Sequence, residues 1–197
     1  MLVPPQDDPR DEPPPVFFGE EIDVEGGALV YVLDCSGSMS LGAPVTRFEK
    51  AQRELRRSIA GLPPTLKFNV VDYDCAIMSM WPAARAATPE AKALADAYVA
   101  ALVPRGGTGT APAVIRAFAD PAGSTVVLLT DGCPTCGVSG SGGGKSGWGQ
   151  GCHRTAIRNA NHRRATVNVF GIETGGVTRE FCQAVAADSS GSYFDVP

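Results

Sequence analysis

Ala28-Leu-Val-Tyr-Val-Leu-Asp-Cys-Ser-Gly-Ser38 is the stretch whose reading decides the fold. Its first six residues form a continuous β-prone apolar run, the pattern of a strand covered on both faces. Such a strand belongs in a sheet sandwiched between helices. A carboxylate follows at once, then two hydroxyls separated by glycine. In open α/β sheets ligands bind just beyond the carboxyl ends of the strands, near the point where the strand order reverses. The D-x-S-x-S turn therefore marks both the end of a central strand and a candidate site.

Working outward, strands and helices alternate. Thr46-Arg-Phe-Glu49 reads as a capping box, and Phe48, Ala51, Leu55, Ile59 and Leu62 recur at helical spacing behind it. Gly61 and Pro63-Pro64 stop that helix. A strand is expected over residues 66–73, and a short partner over 76–81 through a turn at Asp74-Cys75. Thr88-Pro89-Glu90 opens another helix, with a cap, proline at the first position and an acid in the first turn. Gly106-Gly-Thr-Gly-Thr110 leads into a helix carrying Val114, Ala117 and Phe118, and Thr125-Val-Val-Leu-Leu-Thr130 is a second continuous apolar strand ending on Asp131-Gly132. A helix is expected over 155–164, a strand over 166–172, a helix over 178–187 and a last strand over 192–196. This alternation predicts an α/β fold with a mainly parallel sheet and right-handed crossovers.

The bulk numbers narrow the function classes. The chain has 197 residues, which suits one domain, read as 16–197 behind a Pro-rich acidic arm over 1–15 that buries little. A net charge of −4 argues against non-specific nucleic-acid binding. No apolar run approaches the ~18 residues of a membrane-spanning helix, and the N-terminus lacks the basic start and apolar stretch of a secretory signal. The cytoplasm is thus the default expectation, with an extracytoplasmic place if the sequence is a piece of a larger protein.

The chemistry is carried by three separated pieces. Asp34, Ser36 and Ser38 follow the first strand, Thr108 lies in a glycine-rich loop entering a helix, and Asp131 ends a later strand. All five are hard oxygen donors of the kind Mg²⁺ prefers, and the ion usually keeps waters as well. Singly each piece is weak, because serine and glycine after a strand make ordinary turns. In combination, Asp34-Cys-Ser-Gly-Ser-Met39, Gly106-Gly-Thr108 and Leu128-Leu-Thr-Asp-Gly132 resemble the three parts of the metal-ion-dependent adhesion site of von Willebrand factor A domains. The C-terminal Ala187-Asp-Ser-Ser-Gly-Ser-Tyr-Phe-Asp-Val196 resembles that family's last helix and strand. Phe17-Phe-Gly19 together with Tyr31–Met39 is most similar to bacterial members.

The resemblance implies a doubly wound, mostly parallel sheet with one antiparallel edge strand and helices on both faces. It implies a site for Mg²⁺ (or Mn²⁺ or Ca²⁺) held by Asp34, Ser36, Ser38, Thr108 and Asp131. The expected partner is a protein presenting Asp or Glu to that ion, and the expected role is binding rather than catalysis. A metal-dependent, phosphoesterase-like hydrolase is the enzymatic alternative.

The loop after Asp131 departs from the pattern: it is long, glycine-rich and holds three of the six cysteines. Cys133-Pro-Thr-Cys136 has redox-pair spacing, yet glycine and serine follow where a thioredoxin-like enzyme has a helix. A local disulfide or free thiols are the expected states. Cys133, Cys136, Cys152 and His162 have the ligand count of a zinc site, His162 fitting better than His153 because His153 adjoins Cys152. A zinc- or redox-responsive module through this loop is a further alternative. Residues 139–146 end in Gly-Lys-Ser but carry serine where a phosphate-binding loop needs its first glycine. Cys35 and Cys182 are expected to be small buried residues. Asp72 and Asp74 are expected in turns or facing solvent, the two histidines on the surface, and Arg53, Arg56 and Arg57 on the solvated face of the first helix.

Overall fold

The computed structural model describes residues 13–132, 134–138 and 150–197. Most of the Pro-rich arm, Cys133 and residues 139–149, hence the Gly-Lys-Ser stretch, lie outside the described residues. The order along the chain is β1 (Val16–Phe17), β2 (Glu20–Glu21), β3 (Ala28–Asp34), α1 (Arg47–Gly61), β4 (Lys67–Tyr73), β5 (Ile77–Ser79), β6 (Arg85–Ala86), α2 (Pro89–Ala101), α3 (Thr110–Phe118), β7 (Thr125–Thr130), α4 (Gln150–Ala160), β8 (Thr166–Ile172), α5 (Gly176–Ala187) and β9 (Tyr193–Val196). Strands β4, β3, β7, β8 and β9 lie side by side in that order, all parallel. The short β5 and β6 both pair antiparallel with β4 and close that edge. The hairpin β1–β2 stands apart from this sheet. The expected doubly wound sheet is what the chain forms.

The apolar run of β3 is buried at every position because both its faces are covered. Leu29, Tyr31 and Leu33 join α1 and α2 in one core layer, with Phe17, Phe68, Val127, Leu129 and Phe170. Val30 and Val32 face the opposite layer, with Val114, Phe118, Ile157, Val167, Phe181 and Val185 from β8 and helices α3, α4 and α5. Each large aliphatic or aromatic side chain so buried contributes roughly 1.5–3 kcal/mol.

Local signals set the helix starts. Thr46 accepts from Glu49 N while the Glu49 carboxylate accepts from Thr46 N at 2.8 Å, a complete capping box. Thr88 caps α2 by accepting from Ala91 N, with proline in its first turn. Helix α4 begins at Gln150, earlier than its sequence suggested, because polar residues around 150–154 gave no apolar stripe to mark the start. Strand β3 is followed by β4 on one side and by β7 on the other, so the topology reverses beside β3. Asp34 sits at that switch point, and Asp131 directly follows β7.

Candidate metal centre

At the carboxyl end of β3, Asp34 is fully buried. Its neighbours in the sheet supply its partners. Tyr73, in register with Asp34 across from β4, donates its hydroxyl to Asp34 Oδ2 at 3.2 Å, and Thr130 at the end of β7 donates to the same oxygen at 2.6 Å. The Ser36 backbone N–H donates to Oδ1 at 2.8 Å, closing an Asx-type turn. Burial pushes the Asp34 carboxyl up to about 6, further raised by the nearby Asp131 charge, while the hydrogen bonds from Thr130 and Ser36 pull the other way. A cation in front of this carboxylate would favour its charged form.

From there a chain of oxygens runs outward. Ser36 Oγ lies 3.1 Å from Ser38 Oγ, and Ser38 Oγ donates to Asp131 Oδ1 at 2.9 Å. Ser36 is buried and Ser38 half-buried, so the chain climbs from the sheet toward the surface. The first turn is joined to the glycine-rich loop by Gly37 N–H donating to Gly106 O at 3.0 Å and Arg105 N–H donating to Cys35 O at 2.5 Å. Thr108, buried in that loop, is thereby held beside the D-x-S-x-S turn. Asp34, Ser36, Ser38 and Asp131 thus gather through hydrogen bonds, with the Thr108 loop tied to them. The donor set is two carboxylates and three hydroxyls, all hard oxygens that fit a divalent ion such as Mg²⁺.

Two flanking networks escaped the sequence reading. Arg47, in the first turn of α1, donates Nη1–H to Asp131 Oδ2 at 2.6 Å and Nε–H to Glu173 at 2.9 Å. Lys50 donates to the other Glu173 oxygen at 2.7 Å. On the other side, Asp72 is buried, not solvent-facing, because Tyr98 OH and the Arg105 guanidinium both donate to it. That pair anchors the residue from which the Gly106–Thr108 loop departs. Asp74 does form a turn, accepting from Ala76 N–H at 2.6 Å. Nothing but the register and chain crossing reveals these partners; only Thr130, inside the quoted T-D-G, carried a visible signal.

The cysteines and one histidine correct three expectations. Cys136 is bonded to Cys75, whose Cα lies 5.6 Å away. A pair with Cys133 is therefore not the one formed, and the Cys136 sulfur is not a free thiolate for zinc in this state. The partner was missed because Cys75 lies 61 residues upstream and only the β4–β5 turn brings it near. Cys152 is a half-buried thiol on α4 and His162 an exposed residue after it. Among the described residues no three His, Cys, Asp or Glu side chains cluster as metal ligands. His153, expected on the surface, is buried, and its Nδ1 accepts from Ala111 N–H at 3.1 Å in the first turn of α3. Burial lowers its imidazole to about 4, so it is neutral at ordinary pH. Cys35 and Cys182 are buried as expected.

The disulfide clasps the threonine loop. Thr135 Oγ1 accepts from Thr108 N–H at 2.8 Å, Thr135 N–H donates to Thr108 O at 2.8 Å, and Gly109 N–H donates to Asp74 O at 2.8 Å. The loop is thus bracketed by Asp74-Cys75 and Thr135-Cys136. A Cβ on Gly107 would stand 2.7 Å from Thr135 Oγ1 and 2.9 Å from Cys75 Sγ, so only glycine fits between them.

A doubly wound parallel sheet with D-x-S-x-S, a threonine loop and a T-D-G at its switch point defines a class of α/β domains. The chain belongs to the von Willebrand factor type A domain family, whose model matches residues 27–194. Among solved structures it is similar to a von Willebrand factor type A protein from Catenulispora acidiphila, with 22% identity and a TM-score of 0.71 over 87% of this chain and 38% of that one. An aerotolerance-related membrane protein from Bacteroides fragilis aligns with 20% identity and a TM-score of 0.64, covering 87% of this chain and 92% of that one. A pilus adhesin from Lactobacillus rhamnosus GG aligns with 16% identity and a TM-score of 0.69, covering 88% of this chain and 28% of that one. These likenesses establish the fold. No curated protein matches by sequence.

Proposed function

We propose that the domain is a divalent-metal-dependent protein-interaction module, in which Asp34, Ser36, Ser38, Thr108 and Asp131 hold Mg²⁺ or Mn²⁺, directly or through water. The observation that carries this reading is the oxygen chain Ser36–Ser38–Asp131, beside buried Asp34 at the switch point of the sheet. When bound, the ion supplies a Lewis-acid anchor for a carboxylate of the partner. The protein's own residues do the positioning: Tyr73 and Thr130 fix Asp34, and the Asp72–Arg105 pair and the Cys75–Cys136 bond fix the Thr108 loop. The pilus adhesin shares this fold, which supports a binding role, and both it and the Bacteroides membrane protein come from bacteria, which supports a bacterial-type member.

A binding role rather than catalysis is supported by the partners of the hydroxyls. Ser36 and Ser38 bond to each other and to Asp131, while His153 is engaged with Ala111. No helix among the described residues is long and apolar enough to cross a membrane. The Cys75–Cys136 bond favours an oxidising, extracytoplasmic setting, because glutathione and thioredoxin keep most cytosolic cysteines reduced. The bond thus weighs against the cytoplasmic default and toward the extracytoplasmic alternative.

The test is calorimetric titration of Mg²⁺ and Mn²⁺ into metal-stripped protein, beside Asp34→Ala and Ser38→Ala. One ion bound per chain, lost in both variants while their circular dichroism stays native, supports the site. Undiminished binding by Asp34→Ala would sink it.

A further inference from the structure

The position of Arg47 is electrostatically odd. It is the first residue of α1, where the partial positive charge of the helix N-terminus disfavours a cation. Its guanidinium is nonetheless held firmly. One edge donates to Asp131 Oδ2 at 2.6 Å and another to Glu173 Oε2 at 2.9 Å. The Asp131 side chain is 1% exposed and that of Arg47 21% exposed, so the pair is reached by water from the arginine side. Glu173 is held in turn by Lys50, 2.7 Å from its other oxygen. Its backbone adopts φ 51, a left-handed conformation uncommon for glutamate, directly after β8. With Ser38 donating to Oδ1, both oxygens of Asp131 are engaged.

We propose that Arg47 is a resident counter-ion that competes with the divalent cation for Asp131, so that the Arg47–Glu173 pair sets the metal affinity of the site. This rests on the metal-dependent reading above and assigns a regulating pair to it. In the metal-free protein, Arg47 neutralises a carboxylate that burial would otherwise leave alone. An arriving divalent ion must share Asp131 with a guanidinium, and the two cations repel. Glu173 moderates that repulsion by drawing part of the guanidinium charge away from Asp131. Arg47 and Glu173 therefore have opposite effects on the ion.

Opposite signs make the test sharp. Mn²⁺ is titrated into metal-stripped wild type, Arg47→Gln, Arg47→Lys and Glu173→Gln at fixed ionic strength, with Asp34→Ala as the null control. Removing the unit charge in Arg47→Gln tightens Mn²⁺ on the order of tenfold, taking the ions roughly 6 Å apart in a medium near the dielectric of water. Glu173→Gln weakens it by roughly threefold, since part of the same repulsion is unmasked. Arg47→Lys keeps the charge and stays within about twofold of wild type. Thermal unfolding gives a second readout: Arg47→Gln lowers the melting temperature of the metal-free protein and enlarges the rise that Mn²⁺ produces. Binding by Arg47→Gln that is equal to or weaker than wild type overturns the inference and leaves the metal site standing. If neither wild type nor Arg47→Gln binds Mn²⁺, the metal-dependent reading fails and this inference with it.

Discussion

Cutting the Cys75–Cys136 bond is the perturbation whose magnitude the structure sets most directly. The bridge spans 61 residues. Closing a loop of that length removes conformational entropy from the unfolded chain worth about 4 kcal/mol at room temperature. The unfolding entropy of a chain this size is about 0.4 kcal/mol per degree, so the melting temperature should fall by about 10 °C. Any loosening of the native state should be concentrated near the threonine loop, since the bond brackets Gly107 and Thr108 while the sheet core lies elsewhere. The assay compares calorimetric melting of the wild type, the wild type with a non-thiol reductant, and the Cys75→Ser/Cys136→Ser double variant. Non-reducing peptide mapping establishes the bridge beforehand. Native circular dichroism with a melting point lower by about 10 °C is expected for both reduced forms. A bridge proven by mapping whose loss shifts melting by less than about 2 °C would refute the entropic argument. Mapping that finds Cys75 and Cys136 as thiols would remove the clasp altogether.

Two further predictions follow from neighbouring contacts. Burial lowers His153 from its ordinary value of about 6.5 to about 4 in the fold, so the unfolded chain binds more protons between those values. Its stabilising contribution is therefore complete above about 6.5 and is lost as pH falls toward 4, by at most about 3 kcal/mol. Asp34, raised to about 6, acts with the opposite sign, its stabilising effect fading as pH rises over the same window in the metal-free protein. The His153→Gln variant isolates the first effect: its melting temperature should decline more with rising pH from 4 to 6.5 than wild type, and an unchanged slope would exclude His153 as a contributor. Gly107→Ala forces a methyl against Thr135 Oγ1 and Cys75 Sγ. It should destabilise by about 1–3 kcal/mol and weaken Mg²⁺ binding by more than Gly61→Ala, whose added carbon meets open space. Equal effects at the two glycines would show that the crowding at Gly107 is relieved at no cost.

What the sequence alone determined is everything set by short-range pattern. The unbroken apolar runs 28–33 and 125–130 required burial on both faces, and hence a parallel sheet with helices on each side. Thr46/Glu49 and Thr88/Pro89 marked helix starts through contacts three residues apart or closer. The five candidate ligands were legible because each sits at a strand end or in a glycine loop, and their types match a hard cation. What only the tertiary structure decided is every partner that arrives from another element. Tyr73 and Thr130 meet Asp34 through the register of β3 with its two neighbours. Arg47 reaches Asp131 across 84 residues, and Cys75 reaches Cys136 across 61. His153 and Asp72 are buried by helices and loops that cross them, although their local sequence resembles surface. The physical reason is one of range: period and capping act over one or two turns of chain, whereas charge pairing, disulfide choice and burial of a polar group depend on which segments the sheet order brings together.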